Sequence, residues 1–64
     1  MDILTEIKER RMALGLKQED LSEMAGVSLA TIKDIDRGVG NPSVKTIEKI
    51  ANILGLELKL VVKN

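Results

Sequence analysis

The chain has 64 residues, ten Lys and Arg against ten Asp and Glu, and no His, Cys or aromatic residue. Disulfide frameworks, Cys/His metal sites and imidazole catalysis are excluded, and any core must be built from Leu, Ile, Val, Met and Ala. One domain is the most such a length can hold, burying only roughly 60% of the surface its unfolded form exposes.

Met1-Asp2-Ile3-Leu4-Thr5 lacks the basic lead and apolar run of a secretory signal. No apolar stretch approaches the ~20 residues of a membrane span, so a cytoplasmic protein is expected. Glycine then punctuates the chain. Gly15, Gly26, Gly38 and Gly55 each follow a stretch of helical periodicity, and glycine is the least strained residue in the left-handed conformation that ends many helices. Four to five short helices are expected.

Helix 1 is predicted from about Ile3 to Leu14, with Asp2 as N-cap. Ile3, Ile7 and Leu14 share a face, with Arg10 and Arg11 beside it. Helix 2 runs from about Gln18 to Ala25, where Leu21, Met24 and Ala25 have i, i+3, i+4 spacing and Glu19 and Asp20 favour the first turn. Helix 3 starts after the N-cap Ser28 and ends near Arg37, with Ile32 and Ile35 inward. Gly38-Val39-Gly40-Asn41-Pro42 is a loop. It lacks the strand before it and the Lys-Ser/Thr after it that a phosphate-cradling loop needs. Helix 4 follows its cap Ser43, with Ile47, Ile50, Ala51 and Leu54 as a buried stripe and Val44 one turn earlier.

The tail changes period. In residues 57–63, Leu58, Leu60 and Val62 alternate with Glu57, Lys59, Val61 and Lys63, which is a strand pattern. A lone strand leaves its backbone groups unpaired. A second copy of the chain is the simplest partner, so Leu56, Leu58, Leu60 and Val62 are the expected dimerisation residues.

Residues 18–37 are the informative segment. Two short helices meet at a turn centred on Gly26, with the small Ala25 where they come close and Val27 as an apolar plug. Leu21, Ala25, Val27, Ile32 and Ile35 can fix the pair at a steep angle, which is the physical content of a helix-turn-helix. Glu19, Asp20 and Glu23 read as a solvated helix face rather than a metal cluster, and Met12 and Met24 as core or interface filler. No metal, cofactor or enzymatic activity is expected, because acid–base chemistry would rest on surface carboxylates alone.

Several linked spacings resemble the phage-repressor/Cro-like, or xenobiotic-response-element type, helix-turn-helix family. They are Gly15-Leu16, Gln18 and Leu21; Ala25-Gly26-Val27-Ser28; Thr31-Ile32; Asp36-Arg37-Gly38; Asn41-Pro42-Ser43; and Thr46-Ile47-Glu48-Lys49-Ile50-Ala51. The resemblance implies an all-α, lambda-repressor-like DNA-binding domain spanning residues 1–64, with a C-terminal strand paired across a dimer. It implies that helix 3 enters the major groove, that Gln18 touches a phosphate and braces helix 3, and that Arg11 and Asp36 form a structural ion pair. The expected DNA-binding residues are Lys17, Gln18, Ser28, Leu29, Ala30, Thr31, Lys33, Asp34, Arg37 and Lys45, with Arg10 nearby. Family members often carry Gln-like readers where this chain has Leu29, Ala30 and Asp34. Leu29 or Ala30 can pack on a thymine methyl, and Asp34 can only accept, as from a cytosine amino group.

The function expected is a repressor that binds double-stranded DNA as a homodimer on a near-palindrome. Some toxin–antitoxin repressors resemble this layout, so the alternative is an antitoxin or interaction module that binds a toxin protein, with DNA binding secondary.

Overall fold

The computed structural model describes residues 2–63; Met1 and Asn64, the ends of the expected 1–64 domain, lie outside the described residues. Four helices follow one another: α1 (Ile3–Ala13), α2 (Gln18–Ala25), α3 (Leu29–Asp36) and α4 (Val44–Leu54). The fold is all-α, with four helices and no strand among the described residues.

Local chemistry accounts for where each helix starts. The Asp2 carboxylate accepts from the Thr5 N–H at 2.8 Å, Ser28 Oγ from the Thr31 N–H at 3.2 Å, and Ser43 Oγ from the Thr46 N–H at 3.1 Å. These side chains satisfy donors that the first turn leaves without a partner. In α2, the cap position holds Lys17, which cannot accept. Asp20 compensates from within the first turn, accepting from the Lys17 N–H at 3.1 Å.

The helices end by one repeated device. Gly15, Gly26, Gly38 and Gly55 have φ of 69°, 66°, 73° and 69°. The N–H after each glycine reaches back across the last turn: Leu16 to Arg11 O, Val27 to Ser22 O, Val39 to Asp34 O and Leu56 to Ala51 O. This closure satisfies the final carbonyls. Leu16, Val27 and Leu56 then turn inward onto the core, while Val39 remains exposed.

Ile7, Leu21, Ile32, Ile35, Ile50 and Leu54 form that core, and every helix contributes. α3 packs on α1 and α2, and α4 closes the other side against the same two helices. The expected stripe of α1 is corrected here. Ile7 is buried, but Ile3 and Leu14 are exposed and Leu4 packs against the core instead. Ile3 is the first residue of α1 and Leu14 its C-cap, so both sit at helix ends. Val44, Met12 and Met24 are likewise exposed rather than core residues.

The C-terminal strand is also corrected. Residues 57–63 form no strand, and Leu60, Val61 and Val62 are almost wholly open to solvent. A strand needs a second backbone to take up its N–H and C=O groups, and the helices of the same chain have none to spare. Leu56, one of the four expected dimerisation residues, packs on its own protomer's core.

Candidate nucleic-acid interface

α2 and α3 are joined through the turn at Gly26, whose left-handed φ of 66° would strain any side chain even though the space beside it is open. Ser22 Oγ donates to Val27 O at 2.5 Å across the turn. Below it, Leu21, Ile32 and Ile35 are buried, and Ala25 and Val27 pack against them. The crossing of α2 and α3 is thus set by apolar contact and by one hydroxyl.

A polar clamp fixes the far end of α3. Arg11 of α1 donates through Nη2 to Asp36 Oδ2 at 2.8 Å and through Nη1 to Leu16 O at 2.7 Å. Gln18, the first residue of α2, donates through Nε2 to the same Asp36 oxygen at 2.7 Å. Three helices therefore meet at one carboxylate, whose side chain is 9% exposed against 12% for Arg11. Hydrogen bonds to a charged group contribute about 1.5–3 kcal/mol each, more than neutral ones. The ion pair expected of Arg11 and Asp36 is present. Gln18 was expected to brace α3 and to touch a phosphate; the brace exists, and it engages the amide nitrogen.

The remaining expected residues differ in exposure. Lys17, Ser28, Ala30, Lys33, Arg37 and Lys45 are exposed, and Leu29, Thr31 and Asp34 are half-buried. Ser28 Oγ and Thr31 Oγ1 lie 2.8 Å apart, so each hydroxyl orients the other at the entry of α3. Asp34 and Arg37, one turn apart on α3, pair at 2.5 Å in solvent. Between residues 28 and 46 the bases are Lys33, Arg37 and Lys45, and the acids are Asp34 and Asp36. With Asp36 spent in the clamp, this stretch keeps more basic than acidic groups despite the neutral chain.

One residue sits elsewhere than the sequence suggested. Arg10, expected near the DNA-facing bases, donates through Nε to Leu54 O at 2.8 Å, at the C-terminal end of α4. Its guanidinium there meets carbonyls carrying the negative end of the helix dipole. The signal available in the sequence was Gly55, which marks an α4 terminus in need of a donor. Glu19 and Glu23 are exposed, and no group of His, Cys, Asp and Glu among the described residues is arranged to hold a metal ion.

A two-helix unit buttressed by α1 and α4, with a polar and basic outer side on its second helix, defines a helix-turn-helix domain. Residues 7–61 match the helix-turn-helix family, and the chain belongs to that family, being of the Cro/C1 type. An uncharacterised HTH-type transcriptional regulator of Methanothermobacter thermautotrophicus is 43% identical over 53 residues, which are 83% of this chain and 77% of that protein. The immunity repressor protein of Bacillus phage phi105 is 36% identical over 62 residues, 97% of this chain and 43% of the repressor. The ImmF control region 10 kDa protein of the same phage is 34% identical over 55 residues, 86% of this chain and 61% of that protein. The chain thus spans under half the length of the immunity repressor.

Proposed function

We propose that this protein is a sequence-specific, double-stranded DNA-binding transcriptional regulator that represses by occupying an operator as a homodimer. The observation that carries the reading is the outer side of α3, open to solvent at Ala30, Lys33 and Arg37, on a helix clamped at both ends. A helix held this way can enter a major groove without losing its angle. Ser28, Leu29, Ala30, Thr31, Lys33 and Asp34 face base edges; Lys17, Gln18, Arg37 and Lys45 lie nearer the phosphates. The names of the similar proteins, transcriptional regulators and an immunity repressor, support regulation over the toxin-binding alternative.

The homodimer is supported by the tail. Leu58, Leu60 and Val62 remain exposed, and Leu58 lines a groove of about 160 Å³ with Ile3, Ile47, Ala51 and Leu56. A second copy seated against the tail would cover these side chains. Two recognition helices would then sit about 34 Å apart, one turn of DNA.

Fluorescence anisotropy with duplexes selected from a random pool, read at two salt concentrations, tests the proposal. Binding that weakens steeply with salt and a clear preference over a scrambled duplex are expected. Lys45→Ala should lower affinity on all duplexes and reduce the salt slope by about 1 per protomer. Undetectable or salt-insensitive binding overturns the reading.

A further inference from the structure

α3 carries one acid on the side that this reading turns toward DNA, and that acid is not free. Asp34 Oδ1 accepts from Arg37 Nη2, with side-chain exposures of 44% and 69%. We infer that Asp34 is a specificity-determining residue, acting as a latch on Arg37 that withholds its guanidinium from indiscriminate phosphate contact. The inference rests on the proposed DNA binding and deepens it.

In water an exposed pair of this spacing is worth only about 0.3–0.5 kcal/mol. Beside a duplex the balance changes. Breaking the pair to reach a phosphate strands a carboxylate next to a polyanion. The pair therefore stays closed, presents no net charge and releases no counterion. A base edge that offers Asp34 a donor alters this. The exocyclic amino group of cytosine is such a donor in the major groove, whereas thymine O4 and guanine O6 are acceptors that repel a carboxylate. Where cytosine engages Asp34, Arg37 is freed to bind phosphate. One exchange of partners then links base identity to backbone affinity. The loop after α3 leaves room beside Asp34 only because residue 40 is glycine: a Cβ there would stand 3.4 Å from Asp34 Cβ.

The test is a double-mutant cycle of Asp34→Ala and Arg37→Ala, with Asp34→Glu as a conservative rescue. Circular dichroism melts control for folding, which an exposed pair barely affects. Binding is measured to a duplex selected by the wild-type protein and to a scrambled duplex of equal length. Near 0.15 M salt, Asp34→Ala should tighten scrambled-duplex binding about fivefold per protomer and steepen the salt slope by about 0.9. The selected-to-scrambled ratio should fall by the same factor. Asp34→Glu should return both readings toward wild type. In the Arg37→Ala background most of the gain should vanish. Equal gains in both backgrounds would mean that Asp34 repels DNA through space and does not act on Arg37. Equal gains on both duplexes would mean that it sets no specificity. Either result overturns the latch while leaving DNA binding intact. Wild-type protein that binds no duplex overturns the proposed function, and the latch with it.

Discussion

α1 and α4 are each eleven residues long, yet different forces hold them in place. α4 buries Ile50, Ala51 and Leu54 along one continuous stripe. α1 buries Ile7 alone and is fastened by arginines: Arg10 to Leu54 O, and Arg11 to Leu16 O and Asp36. Apolar burial is strong but non-directional. A guanidinium fork is directional and fixes an angle. The contrast teaches how a small, aromatic-free domain divides its work. α4 supplies cohesion, and α1 supplies the orientation of α3, because its Arg11 ends on the last residue of that helix.

The largest expected effect breaks the cohesive side. Ile50→Ala removes a fully buried branched side chain and should cost about 3 kcal/mol or more. A domain of this size has little more than that in total, so urea denaturation should show a protein largely unfolded without denaturant. A loss under about 1 kcal/mol would mean that the α4 stripe does not anchor the fold.

Arg11→Ala tests the orienting side. It leaves the Asp36 carboxylate largely buried with Gln18 as its only side-chain donor, and should cost about 2–3 kcal/mol. At temperatures where the variant is still helical, DNA affinity should already be reduced, because α3 has lost its far clamp. Full affinity in a folded Arg11→Ala protein would separate α1 from the placement of α3. Gln18→Ala should show the same pattern more weakly.

Arg10→Ala should be milder, about 1 kcal/mol by thermal melting, since it removes one hydrogen bond at the end of α4. DNA affinity in the folded protein should stay unchanged. A specific loss of DNA binding would restore Arg10 to the interface.

The smallest effect lies at the start of α1. The Thr5 N–H donated to Asp2 holds its carboxyl below the usual value of 3.8. The cap's contribution is therefore present above about 3.8 and lost as pH falls through the lowered value. Melts between about pH 5 and pH 2.5 should show this slope reduced in Asp2→Ala.

Helix boundaries were legible in the sequence because they are local. Asp2, Ser28 and Ser43 satisfy donors three residues ahead, and each glycine closes a turn that reaches five residues back. Such bonds form between neighbours in the chain whatever the rest does, so periodicity, caps and glycines sufficed to place α2, α3 and α4. The pairing of Arg11 with Asp36 was legible only through resemblance to a family, as was the outward side of α3.

Other features were decided by elements far apart in the chain. Ile3, Leu14 and Val44 have the residue type and spacing of core positions but stay exposed. Arg10 finds its acceptor 44 residues away, and Gln18 finds Asp36 on the next helix. The alternation in residues 57–63 states a need for a strand partner that one chain does not supply. Sequence by itself determined the four helices and their ends, since a cap or a left-handed glycine answers only to its own turn. Tertiary structure alone decided which apolar residues at the helix ends stay uncovered and which donors are spent, since both depend on how distant helices meet.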